Sequence, residues 1–174
     1  SLEKMIVKNG GEPLMWNTGH SLIKDKMKTE KATFAGEMSG HIFFADDYYG
    51  YDDALYVGLR LLQILSKTDK NLSELTKNIP KYHSTPEMRI DCDSDEEKFK
   101  ITKKAVDFFT SNYECITIDG VRIKFKDGWG LVRSSNTQPV IVCRFEAKTK
   151  EKLQQYKKLV LDQLSKFGNI NYVQ

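Results

Sequence analysis

Apolar and polar positions follow two different rhythms along this 174-residue chain. In the first half the apolar positions are grouped in blocks. EPLMWN (12–17) reads as a short strand, and a short helix starts at Ser21–Met27. ATFAGEM (32–38) and HIFF (41–44) read as a buried strand that leaves through a glycine-bearing loop. DDALYVGLRLLQIL (52–65) is apolar nearly all round, which predicts a helix buried on most sides. NLSELTKNI (71–79) predicts a short helix ended by Pro80. Strand, helix, strand, helix is the order of an α/β unit.

PKYHSTP (80–86) holds two prolines and no periodicity, so it reads as a linker between a domain at 1–80 and one at 81–174. Beyond it the period falls to two. Met88, Ile90 and Cys92 alternate with polar residues, as a strand does. Ser94 with Glu97 offers a capping box, and Phe99, Thr102, Val106 and Phe109 mark one face of the helix that follows. Ile116 and Ile118, then Asp119-Gly120, then Val121, Ile123 and Phe125 predict a hairpin around a DG turn. GWGLV is strand-like, and VIVCRFEA (140–147) is a further strand. Thr149 caps a last helix whose Leu153, Tyr156, Val160 and Leu164 face inward. The order β-α-β-β-β-α implies an antiparallel sheet covered by two helices, an α+β unit after an α/β one.

Composition narrows the class. Hydrophobic residues at 40% and charged residues at 29% suit a folded globular chain. No apolar run approaches the ~18 residues of a membrane span, so no membrane partner is expected. The N-terminus has no apolar core of a signal peptide and does not begin with Met, which suggests a piece of a longer protein. Cys92, Cys115 and Cys143 are far apart without metal spacing; free thiols in a reducing compartment, the cytoplasm, are expected. Residues 1–80 carry 10 basic and 11 acidic side chains, and residues 81–174 carry 17 and 13. This mild basicity, without a Lys/Arg stripe interleaved with aromatics, points to small anions and away from nucleic acid.

Three stretches offer chemistry. Arg133-Ser134-Ser135-Asn136-Thr137 interrupts two strands. A guanidinium fork, hydroxyls, an amide and backbone N–H groups can clamp a phosphate, but the same residues also make an ordinary polar turn. Gly36-Glu37-Met38-Ser39-Gly40-His41 lies at a strand end, where α/β folds place ligands. In extended backbone Glu37 and Ser39 would point the same way and could grip vicinal sugar hydroxyls, with His41 for proton transfer; a polar loop with a structural histidine is the alternative. GxxSG is not the GxSxG of a hydrolase elbow. Thr18-Gly19-His20-Ser21, with Lys24 one turn on, is either an anion-facing helix start or a plain cap. Asp91, Asp93 and Asp95 have DxDxD spacing, but Glu96 stands where a calcium loop needs glycine, so they read as helix N-terminal acids. Asp46, Asp47, Asp52 and Asp53 are read the same way. Tyr48, Tyr49 and Tyr51 read as edge packing.

TGHSLIK, GEMSGHIFF, YGYDDALY and DGWGLVRSSNTQPVIVCRFEA, in this order, resemble the α-D-phosphohexomutases, in particular their bacterial phosphomannomutase/phosphoglucomutase branch. The resemblance implies an incomplete third domain, which binds sugar, followed by a fourth domain with a fold like the TATA-binding protein. It implies that Glu37 and Ser39 bind the sugar O3 and O4 hydroxyls and that His41 contacts substrate or transfers a proton. His20 would face the cleft. Arg133, Ser135, Asn136 and Thr137 would hold the phosphate that is not transferred, with no role for the variable Ser134. Met38 fits the dual mannose/glucose branch. The reactive phosphoserine and the Mg²⁺ loop have no counterpart here, so the missing N-terminal domains would supply them, and this chain alone is expected to be inactive. A phosphosugar substrate and a bisphosphorylated hexose activator are implied for the whole enzyme. A non-catalytic sugar-phosphate binding module is the alternative.

Overall fold

In a computed structural model, residues 2–170 are described. They form two compact units, the first ending at Pro80 and the second beginning at Lys81.

The first unit opens on a helix the hydrophobic pattern did not announce, α1 (Leu2–Lys8). Residues 12–17, read as a strand, have no regular structure. Pro13 removes one ladder donor. Leu14, Met15 and Trp16 stay exposed, and Lys26 lies 4.2 Å from the centre of the Trp16 ring. Helix α2 (His20–Glu30) runs for 11 residues, longer than expected, and stops where Lys31 turns left-handed (φ 54°). Strands β1 (Phe34–Gly36) and β2 (Ile42–Phe44) form an antiparallel hairpin. The expected buried strand is therefore half open, with Phe34 exposed and Phe43 fully buried.

Helix α3 (Ala54–Ser66) forms as its pattern requires. Asp53 caps it by accepting the Tyr56 N–H at 3.0 Å. Its burial is the largest departure from expectation. No residue of α3 is buried, and Leu55 is 83% exposed. Periodicity states what a helix can bury; within this unit α3 packs on β2, and its other apolar faces find no cover among the described residues. Helix α4 (Leu72–Thr76) closes the unit with a full capping box between Asn71 and Glu74.

The second unit is a sheet with two helices on it. The presumed linker already belongs to it: β3 (His83–Ser84) pairs with one end of β8 (Val140–Ala147), and the Thr85 hydroxyl receives the Phe145 N–H. β4 (Met88–Asp91) continues along the same edge of β8. After α5 (Asp95–Asn112) come β5 (Cys115–Ile116), β6 (Val121–Phe125) and β7 (Gly128–Ser134), giving the order β3-β8-β7-β6-β5 with every pairing antiparallel. GWGLV thus adds a full strand to the predicted β-α-β-β-β-α. Helix α6 (Lys150–Leu164) starts at the Thr149 cap and buries Leu153, Tyr156, Val160 and Leu164, as its spacing predicts. On α5 the buried stripe is Lys98, Ile101, Thr102, Ala105 and Phe109, while Phe99 lies outside it and is exposed. Helix and sheet residues close one core around Ile90, Phe109, Ile123, Ile141, Phe145 and Val160.

Two glycines set the hairpins. Gly120 has φ +68°, and a Cβ there would stand 2.2 Å from the Val132 carbonyl oxygen. At Gly128, where β7 leaves the Lys126-Asp127 turn, a Cβ would meet the Glu146 carbonyl at 2.1 Å.

Candidate functional site

The polar stretch 37–41 is the tip of the β1–β2 hairpin. The Glu37 N–H donates to the His41 carbonyl at 2.8 Å and the Gly40 N–H to the Glu37 carbonyl at 3.0 Å, with Gly40 at φ +99°. Glu37 and Ser39 therefore sit in a tight turn, not in the extended backbone expected of them. Glu37 is half-buried at the turn's base, and Ser39 is exposed at its tip. At the other side of the turn the His41 Nδ1 lies 2.5 Å from an Asp52 carboxylate oxygen. A carboxylate only accepts, so His41 Nδ1 is the donor in this contact and Nε2 is the ring nitrogen it leaves over. The His20 ring, on the first turn of α2, is 6.4 Å from that of His41. Gly19 precedes it without any side-chain cap. Glu37, Ser39, His41 and His20 thus gather on one end of the unit. A concavity of about 540 Å³ lies elsewhere on it, lined by Lys24, Lys28, Lys31, Tyr49 and Tyr51 among others.

The neighbouring acids have structural partners. Asp46 pairs with Arg60 at 2.6 Å, and that guanidinium holds its carboxyl below the usual range. The Tyr48 hydroxyl donates to Asp53 at 2.7 Å; this bond lowers the Asp53 carboxyl and raises the Tyr48 phenol. Tyr48 stacks on Tyr56 at 3.9 Å. Asp52 is tied by a single ladder bridge to Phe43. In the second unit the Asp93 N–H donates to Glu97, Ser94 caps α5, and Asp95 pairs with Lys98. Among the described residues no group of three or more His, Cys, Asp or Glu side chains could hold a metal ion.

The 133–137 stretch ends β7 and crosses to β8. Arg133 is mostly buried; its Nη1 donates to the Ser134 carbonyl at 3.2 Å and lies 3.6 Å from Asp119, on the turn of the β5–β6 hairpin. Among the described residues these contacts engage Nη1 alone, and Nε with Nη2 forms the other donor pair of the fork. Ser135 is buried, its N–H donates to the Val140 carbonyl at 2.9 Å, and its hydroxyl receives the Thr137 N–H at 3.3 Å. Asn136 and Thr137 form the exposed tip. Such a turn can present N–H groups, hydroxyls and one guanidinium to an anion.

Sequence reasoning missed four side chains. Asp52 and Asp119 were read as a helix-start acid and as a turn residue. Lys98, only 2% exposed, reaches the Gln138 carbonyl, and Thr102 reaches Ser134; neither partnership has a local signal.

The chain matches two family models, "Phosphoglucomutase/phosphomannomutase, alpha/beta/alpha domain III" over residues 1–82 and "Phosphoglucomutase/phosphomannomutase, C-terminal domain" over 87–163. A phosphomannomutase/phosphoglucomutase of Pseudomonas putida is 49% identical over 166 residues, covering 94% of this chain and 35% of that protein. A phosphoglucomutase of Neisseria gonorrhoeae is 46% identical over 166 residues, covering 92% of this chain and 36% of that protein. The crystal structure of a phosphoglucomutase/phosphomannomutase family protein from Burkholderia thailandensis superposes with a TM-score of 0.84 at 41% identity, over 98% of this chain and 37% of that one. The chain thus spans about a third of the length of the curated relatives it matches. Two successive domain models, a sheet topology and a solved relative agree: the chain belongs to the phosphoglucomutase/phosphomannomutase family.

Proposed function

We propose that this chain is the sugar-binding and phosphate-holding part of a phosphohexomutase, an enzyme that interconverts hexose 1-phosphate and 6-phosphate through a phosphoserine and a bisphosphorylated sugar. Residues 1–80 are read as part of its third domain and residues 81–174 as its fourth. The exposed apolar faces of α3 support the first assignment, since they suit a helix of a larger α/β layer.

The sugar turns around between two phosphoryl transfers, so it must be held equivalently in two poses. Glu37 and Ser39 grip the O3 and O4 hydroxyls, which both poses share. Arg133, Ser135, Asn136 and Thr137 clamp whichever phosphate is distal. His41, its Nδ1 held by Asp52, presents Nε2 to exchange a proton with the sugar hydroxyl that gains or loses the phosphoryl group. His20 borders the same turn. Positioning of this kind is a large part of phosphoryl-transfer catalysis. Mg²⁺ would offset charge on the transferring group; the described residues do not fit it, and its ligands, like the serine, would come from outside this chain. A bisphosphorylated hexose would serve as activator. We place the enzyme in the cytoplasm, in keeping with its three free cysteines; among the described residues no helix is long and apolar enough to cross a membrane.

The observation that carries this reading is the Arg133 loop: a guanidinium fork whose contacts among the described residues engage Nη1 alone, at the base of a turn of hydroxyls and N–H groups. In the whole enzyme Arg133→Ala should weaken substrate binding by about 2–4 kcal/mol, through loss of a charge-assisted bidentate contact. An unchanged KM and kcat/KM would refute the clamp. The chain alone should show no mutase turnover with glucose 1-phosphate and a bisphosphate activator; turnover above background would count against the division of labour. The alternative reading is a non-catalytic sugar-phosphate binding module, in which the two polar turns bind ligand without turnover. Amide shifts at 37–41 and 133–137 with mannose 1-phosphate, in a natural protein no longer than this chain, would support it.

A further inference from the structure

The helix beneath the Arg133 loop carries two polar side chains in its buried stripe, one turn apart. Lys98 is 2% exposed, and Thr102 is 8% exposed. The Thr102 hydroxyl accepts from Ser134 at 2.9 Å, at the point where the loop leaves β7. The Lys98 ammonium donates to the Gln138 carbonyl at 2.8 Å, at the point where the loop returns toward β8. The Gln138 side chain is in turn held by Arg89 on β4. One helix face therefore ties both ends of a loop whose tip, Asn136-Thr137, is exposed.

Burying an ammonium is costly unless it is paired. Lys98 is paired through Asp95 at 2.6 Å, and Asp95 is itself two-thirds exposed. A methionine would fill the same space without that cost. The ammonium is therefore shared between the Asp95 carboxylate and the loop carbonyl, at the foot of a turn that presents donors to an anion. We propose that Lys98 and Thr102 are positioning residues for the phosphate loop, holding 134–138 in its binding shape before a phosphate arrives. This rests on the clamp reading and adds to it a requirement that no loop residue reveals. Pre-ordering a loop spares the conformational cost of ordering it on binding, so its loss weakens affinity with no direct contact removed.

The test is a titration of the chain with mannose 1-phosphate, followed by amide NMR. Lys98→Met should weaken binding about tenfold and Thr102→Val about fivefold, the scale of one charged and one neutral hydrogen bond. Thr102→Ser, which keeps the hydroxyl, should bind as the unsubstituted chain does, which a purely structural role for the methyl group would not predict. Core amides such as Ile123 and Val160 should keep their shifts, while those of 134–138 move. If Lys98→Met and Thr102→Val bind as tightly as the unsubstituted chain while Arg133→Ala loses binding, the positioning role is overturned and the clamp stands. If Arg133→Ala binds undiminished, or if excess ligand shifts nothing at 133–137, the clamp is overturned and the positioning role with it. Should Lys98→Met lose its dispersed spectrum, Thr102→Val against Thr102→Ser decides the matter.

Discussion

The two units carry their candidate residues on supports of very different kinds. In the first, Glu37, Ser39 and His41 sit on a hairpin of two three-residue strands, and among the described residues the fully or nearly buried apolar side chains are Phe43 and Met27. In the second, the Arg133 loop joins two long central strands over a continuous core and is tied at both ends to α5. A polar turn is as precise as the packing beneath it. The Arg133 loop can therefore be rigid within its own unit, whereas the 37–41 turn owes its shape to a local hairpin and one His–Asp contact.

The sharpest way to break this contrast is to cut into each unit's apolar surface. Phe109→Ala, at a fully buried position, should cost about 3–5 kcal/mol in urea unfolding of the second unit. Leu59→Ala on exposed α3 should stay within about 0.5 kcal/mol. Comparable losses would show that α3 is covered after all. The turn glycines sharpen it next. Gly120→Ala meets both a left-handed backbone and a carbonyl at 2.2 Å, so about 3 kcal/mol or more is expected. Gly40→Ala has φ +99° but open space around it, so about 1–2 kcal/mol should suffice, read as a lower thermal midpoint.

Smaller effects concern charge and thiols. The Asp53 carboxyl is depressed by the Tyr48 hydroxyl and the Tyr56 N–H. A lowered folded value means its contribution is complete above the ordinary aspartate range and is lost as pH falls through the lowered one. The start of α3 should therefore fray in strong acid, seen as loss of the Tyr56 amide's protection, and Asp53→Ala should bring the same loss at neutral pH. An acid-insensitive Tyr56 amide would argue against the cap. Burial pushes the Cys143 thiol up to about 12, whereas Cys115 is half-buried on the edge strand. A thiol reagent at mildly alkaline pH should modify Cys115 first and Cys143 last, as mass spectrometry would show.

Where sequence was legible, it was because the signal was local. Thr149 and Ser94 cap helices because each side chain meets an N–H three residues on. Asp119-Gly120 announces a hairpin because few residues besides glycine fit there. The stretches GEMSGH and RSSNT are recognisable as strings, without any geometry. What failed depended on distant or absent partners. The apolar face of α3 predicted burial, but burial needs a second surface. Lys98 could not be foreseen as a support for Gln138, forty positions away, nor Thr102 for Ser134, because hydrogen-bond partners across a fold leave no period in the chain. EPLMWN looked like a strand for the same reason: an extended apolar segment becomes one only beside another.

Strand β8 is paired along both of its edges, with β7 on one side and with β3 and β4 on the other. Its backbone amides lie at the centre of the unit's cooperative structure, so they should exchange with deuterium only through global opening. The Arg133 loop ends where β8 begins, at Val140, which also receives the Ser135 N–H. The lifetime of the loop's base is then the lifetime of the whole unit, and its slowest clock runs in the strand beside it.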